Sequence, residues 1–229
     1  MSSLIIACAV FVGSHLALSH PLRGPLAGWL GARGFQAFYS IIALGTFWYV
    51  VRVWQSMPSE AFLWTVGDGL WSFATILMWL ASVLLVGSLV GNPALPAPRA
   101  AAAAARPARG VFAITRHPMM WGFALWGAAH ILVMPSRAQI VLAGSIILLA
   151  LLGSWGQDSK KARLMGAAWQ SWVGRTAFIP FVGQLTGRLN WADAMPRPIA
   201  LVGGTALWIA ATWSHGALGY RPAGIWLWF

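Results

Sequence analysis

Apolar residues gather into six runs, 3–18, 35–51, 70–90, 119–134, 140–155 and 199–218, separated by breaks rich in Pro, Gly and Arg. None alternates with the period of two that a half-buried strand needs, and each is close to the roughly 20 residues that carry a helix across a bilayer. The pattern predicts an all-α, polytopic integral membrane helical bundle of about six transmembrane helices. Residues 158–173 read differently: Leu164, Ala168 and Trp172 recur at helical spacing opposite Lys160, Lys161 and Arg163. That is the signature of an amphipathic helix lying at the cytoplasmic interface. Residues 22–34, with Trp29 and Arg33, suggest a second such segment on the same side. The Ala- and Pro-rich stretch 92–110 reads as a connector between halves 1–91 and 111–229 of one domain covering 1–229.

Composition strengthens the membrane reading: 59% of the 229 residues are hydrophobic and 8% are charged, against about 25% charged in a soluble domain. The net charge of +11 is not a nucleic-acid footprint, because the arginines sit between apolar runs and no aromatic-studded basic surface accompanies them. It sets topology instead. Arg23, Arg33, Arg99, Arg106, Arg109 and Arg116, together with the basic residues of 156–198, fall on one side, leaving Arg52, Arg137 and Arg221 with Glu60 and Asp68 on the other. The positive-inside rule then places the basic side in the cytoplasm and both termini outside. No Lys or Arg precedes the first run, and Pro21 and Arg23 follow it, so it reads as a span and not a signal peptide. Most of the sixteen tryptophans are accounted for by interfacial enrichment, Trp226 and Trp228 among them.

Three of the five histidines, His15, His130 and His215, lie inside apolar runs. An ionisable ring in hydrocarbon costs several kcal/mol unless a partner, metal or wet cavity offsets it, which makes each a functional candidate. His130 follows His117 by 13 residues on one predicted helix, roughly 20 Å, so the two cannot share a site, and His117 is assigned to the cytoplasmic surface. His215 is expected at nearly the depth of His130, near the outer ends of their spans. His15 is expected roughly 7–11 Å nearer the cytoplasm. Cys8, the sole cysteine, excludes an internal disulfide and reads as a small core residue.

The most specific stretch is Arg109-Gly110-Val111-Phe112-Ala113-Ile114-Thr115-Arg116-His117-Pro118-Met119-Met120-Trp121-Gly122. Thr115 is suited to cap a helix and Pro118 to its first turn. Free N–H groups at that helix start, with Arg116 and His117 beside them, suit an anion. A snorkelling arginine and an interfacial histidine fit the same residues.

The Thr115-Arg116-His117-Pro118 signature, His15, Leu30-Gly31-Ala32-Arg33, Ala129-His130 and the segment 166–180 together resemble the NnrU family of bacterial inner-membrane proteins, whose relatives include zeta-carotene isomerase. By that resemblance the chain is expected to carry haem b on histidine axial ligands, His130 and His15. Depth alone favours His215 as the second ligand. Ser14, Ser19, Thr212 and Ser214 are candidates to orient the rings. The resemblance implies a redox-linked role in denitrification, near nitrite and nitric oxide reduction, or isomerisation of an apolar substrate. It thereby implies a small gas ligand or lipid-soluble substrate and a respiratory partner.

Residues 110–122 also resemble the Arg-His-Pro box of membrane-embedded methyltransferases of the isoprenylcysteine and phospholipid type. Gln157-Asp158 stands where that family has two acids, and Met120 where it has tyrosine. This alternative implies an S-adenosylmethionine site at Arg116, His117 and Asp158. The residues leave open whether the chain is an enzyme.

Overall fold

A computed structural model describes residues 1–95 and 100–229, and every described element is helical. Arg99, assigned above to the basic side, lies outside the described residues. In chain order the α-helices are α1 (Ser2–Ser19), α2 (Arg23–Gln55), α3 (Asp68–Gly87), α4 (Ala100–Ala104), α5 (Val111–Ile114), α6 (Pro118–Val133), α7 (Arg137–Met165), α8 (Ala167–Gly174), α9 (Val182–Leu185) and α10 (Pro198–Ala217). Each of the six apolar runs falls on one of the six longest helices. Among the described residues, α1, α2, α3 and α7 are long and apolar enough to cross a membrane, and α6, at sixteen residues, is a shorter apolar helix. Twenty-residue α10 is diluted by Gly203, Gly204, Thr205, Thr212 and Ser214.

Helix ends follow local chemistry. Pro118 opens α6, where its missing N–H removes no intrahelical bond. Ser136 caps α7 by accepting from the Gln139 N–H. Gly166, at φ 52°, stops α7, so the stretch 158–173 is divided between the end of α7 and short α8 instead of forming one interfacial helix. Trp172 and Lys161, expected on opposite faces of that helix, are both buried; at 3.6 residues per turn the two positions fall on the same side, and Lys161 donates from Nζ to the Leu95 carbonyl at 3.0 Å. At Gly31 (φ 71°) α2 kinks, separating 23–30 from the apolar remainder.

The long helices pack in series, α2 on α1, α1 on α7, α7 on α6, α6 on α3 and α3 on α10. Two glycines permit the closest approaches to α3. A Cβ at Gly122 would stand 2.9 Å from the Ala81 carbonyl oxygen, and one at Gly204 only 2.6 Å from the Val83 Cα. Small residues let backbones meet where the bilayer supplies no hydrophobic drive to bring helices together. Two cores result: Leu4, Ala7, Phe11, Val50, Ala138 and Leu142 join α1, α2 and α7, while Val83, Leu84, Phe112, Ile114, Trp169 and Trp172 fill the opposite end. The outward face of α2 keeps Ile41, Leu44 and Trp48 more than 60% exposed, the surface a lipid-embedded helix presents.

Candidate functional site

The series of helices curls around a cavity of about 1000 Å³, at the upper end of small-molecule sites. Its walls come from regular helical faces: Trp71, Thr75, Met78 and Ser82 on α3, Trp126, Ala129, His130 and Val133 on α6, Gln139, Leu142 and Ile146 on α7, and Trp208, Ala211, Thr212 and His215 on α10. Phe47, Val51 and Trp54 of α2 complete the ring, so first and last long helices in the packing series share one space. The connection 62–66 and the turn 219–224 line one end. That connection is pinned to the α6–α7 junction: Leu63 N–H donates to the Pro135 carbonyl at 2.9 Å, Trp64 Nε1 to the Leu132 carbonyl at 3.1 Å.

Two of the three intramembrane histidines face this cavity together. The rings of His130 and His215 have centroids 6.4 Å apart and planes inclined by 31°. Each Nδ1–H donates to the backbone carbonyl one turn back, His130 to Trp126 at 2.8 Å and His215 to Ala211 at 2.7 Å. That bond fixes the proton on Nδ1 and leaves the Nε2 lone pair for a metal, the arrangement usual in ligating histidines. Trp126 lies against the His130 ring at 4.1 Å between centroids and holds it in place. His15 is placed elsewhere. Its Nδ1 donates to the Phe11 carbonyl at 2.8 Å, its ring contacts Phe11 and Tyr39, and it does not line the cavity. The expected orienting side chains have other partners: Ser14, Thr212 and Ser214 donate to carbonyls of their own helices and Ser19 to the Tyr39 hydroxyl. Backbone carbonyls orient the rings instead, a role that residue identity does not reveal.

The residues fit a haem. The donor set is two neutral imidazoles, 6.4 Å apart between ring centroids, on the wall of one apolar cavity of about 1000 Å³, which suits a tetrapyrrole held by histidine nitrogens. Among the described residues no three His, Cys, Asp or Glu side chains gather into a conventional metal cage.

Arg116, His117 and Asp158 also come together, at the opposite end of the bundle. Arg116 grips the Asp158 carboxylate through Nε (2.9 Å) and Nη2 (2.6 Å), and His117 donates from Nε2 to its other oxygen at 2.8 Å. His117 is 2% exposed, and the Arg116 and Asp158 side chains 13% and 15%. This corrects both the surface assignment of His117 and the snorkelling reading of Arg116. Thr115, expected to cap α6, instead donates to the Phe178 carbonyl at 2.6 Å and accepts weakly from the His117 N–H. With Arg116 stacked on Phe178 and its N–H bonded to the Ala177 carbonyl, the box staples the start of α6 to α7 and to residues 176–181. Arg116 and His117 are thus both already engaged by Asp158.

Fold and site together define a helical membrane protein with an apolar, histidine-bearing cavity. The sequence matches the family described as NnrU protein over residues 3–222, and the chain belongs to that family. It is similar to the 15-cis-zeta-carotene isomerases of Zea mays and Arabidopsis thaliana chloroplasts, 32% and 34% identical over 79 residues. That stretch is 34% of this chain and 22% of each relative, so the chain spans well under half of the proteins it resembles. No solved structure matches.

Proposed function

We propose that this protein binds haem b between His130 and His215 and uses it in a redox-linked transformation of an apolar, lipid-soluble substrate, isomerisation being the activity named for the relatives. The observation that carries the reading is the pair of imidazoles facing one apolar cavity with Nδ1 bonded and Nε2 free. Haem bound there would supply a one-electron redox centre whose ligand set governs access to the iron. The chain's own residues orient the two rings through the Trp126 and Ala211 carbonyls. Phe47, Trp54, Trp126 and Trp208 line the space with apolar surface, and 62–66 and 219–224 flank its outer end. A small gas in nitrite or nitric oxide metabolism would enter the same cavity. We place the protein in the bacterial inner membrane, as its resemblance to the NnrU proteins suggests, with both termini periplasmic on the strength of its arginine distribution.

Optical spectra of the detergent-solubilised protein test this reading. Wild type and His15→Ala should show the Soret band of a six-coordinate haem, and His130→Ala and His215→Ala should lose or shift it. A haem-replete wild type with no Soret band would sink the proposal, and loss in His15→Ala with retention in His215→Ala would reassign the second ligand.

A further inference from the structure

At the end of the bundle away from the histidine cavity, one group of cations has no counter-charge. The turn between α1 and α2 rests on α7: a Cβ at Gly156 would stand 2.5 Å from the His20 ring. Arg23 opens α2 three residues after His20, with its guanidinium carbon 5.3 Å from the centre of the buried Phe35 ring. Lys160 lies one turn beyond Gly156 on the same side of α7, and Arg23 and Arg163 are near enough for their charges to act on it. Arg23, Lys160 and Arg163 make no ion pair among the described residues. The chain has four acids, and each is placed elsewhere. Asp158 is held by Arg116 and His117, Asp193 lies 3.9 Å from Arg109, Glu60 accepts from the Ala138 N–H, and Asp68 lines a recess beside Arg221. An anion for this cluster has to come from outside the chain.

The helix surface beside it selects the kind of anion. Leu148, Leu152 and Trp155 are exposed, and at about 100° per residue they share with Arg163 an arc of about 80° on α7, flanked by Gly156 and Lys160. From Leu152 to Arg163 the helix rises about 16 Å, one leaflet's share of a hydrocarbon core roughly 30 Å thick. Cations at the foot of an exposed apolar stripe of that length complement a molecule with an anionic head and acyl chains.

We propose that Arg23, Lys160 and Arg163 bind the phosphate of an anionic phospholipid in the leaflet on the basic side, with its chains laid along Leu148, Leu152 and Trp155. The lipid ties the first turn of α2 to the last turns of α7. This site is separate from the cavity and independent of the haem reading.

Native mass spectrometry of the detergent-solubilised protein tests it, with phosphatidylglycerol and phosphatidylcholine of identical acyl chains as probes. Wild type should retain one phosphatidylglycerol at least about tenfold more tightly than phosphatidylcholine, since each basic residue at an anionic lipid surface contributes severalfold. Lys160→Gln and Arg163→Gln should each cut that preference severalfold, and the double variant should bring it near parity while phosphatidylcholine retention barely moves. Arg163 is exposed, so its variant supplies the measurement should Lys160→Gln fail to fold. Arg106→Gln removes the same charge from another exposed position on the basic side and should keep the wild-type preference. Equal retention of both lipids by wild type, or a preference that falls as far in Arg106→Gln as in Arg163→Gln, would overturn the site. Displacement of phosphatidylglycerol by inorganic phosphate would overturn the lipid in favour of a small free anion.

Discussion

At the scale of single residues, the charged cluster at the start of α6 is satisfied within itself. Asp158 answers both Arg116 and His117 in a largely dry setting, so Asp158→Asn leaves a guanidinium without its counter-charge. Removing one partner of such a pair costs about 3–5 kcal/mol, reduced here by the remaining exposure. A drop in unfolding midpoint in detergent, with any Soret band undisturbed, is the expected result, because the staple and the cavity lie at opposite ends. His20, between α1 and α2, carries a second consequence. Burial depresses its pKa, and Lys160 and Arg163 depress it further; its Nε2 has no partner and its ring lies against Gly156. The unfolded chain therefore binds this proton more readily than the native one. Stability should be full above the ordinary histidine value near 6.5 and fall as pH drops through it. Thermal unfolding from pH 7.5 to 5 should show that decline, and His20→Gln should flatten it. The intramembrane histidines were legible as candidates because the ring is so costly in hydrocarbon. Choosing between His15 and His215 was not, since all three rings bond the carbonyl one turn back, and only packing decides which two meet.

At the scale of elements, apolar runs located every long helix, while the ends depended on individual residues. Gly166 cut a stretch whose periodicity continues through it, because hydrophobic spacing carries no record of φ. Lys161, read as solvated, finds the Leu95 carbonyl in the connector, a long-range contact beyond any local pattern. The helix contacts themselves rest on glycine. Gly204→Leu would drive a side chain into the backbone at Val83, and Gly122→Val into the Ala81 carbonyl. Because backbone cannot rotate away as a side chain can, each should cost at least the 1–3 kcal/mol typical of overpacking. Gly13→Ala in α1 meets nothing within 4 Å and serves as the control. The expected outcome is a lower melting temperature and weaker haem uptake for the first two, with Gly13→Ala near wild type. Equal behaviour of all three would show that α3 is not held by these contacts.

At the scale of the whole molecule, connectivity and charge converge on one orientation. The chain enters α1 at the end where Leu4 packs with Ala138 and Leu142. It leaves α10 at the end where Gly224 returns to Thr212, and the cavity joins these regions through Val51, Gln139, Tyr220 and Gly224. Both termini and the histidine pair thus share one end of the bundle, and the Arg116–Asp158 staple, Lys161 and Arg188 occupy the other. Positive charge gathers at the staple end, and such charge resists transfer across the membrane during insertion. The cavity end should face the periplasm, so a cofactor or gas would approach from that side while an apolar substrate arrives through the bilayer. Reporter fusions in a bacterial host decide this. Alkaline phosphatase joined after Phe229 should be active and a green fluorescent protein there dark, with the pattern reversed for fusions after Arg188. The opposite pattern would turn the molecule over, set the histidine cavity toward the cytoplasm, and require that basic loops be translocated against the rule that governs their placement.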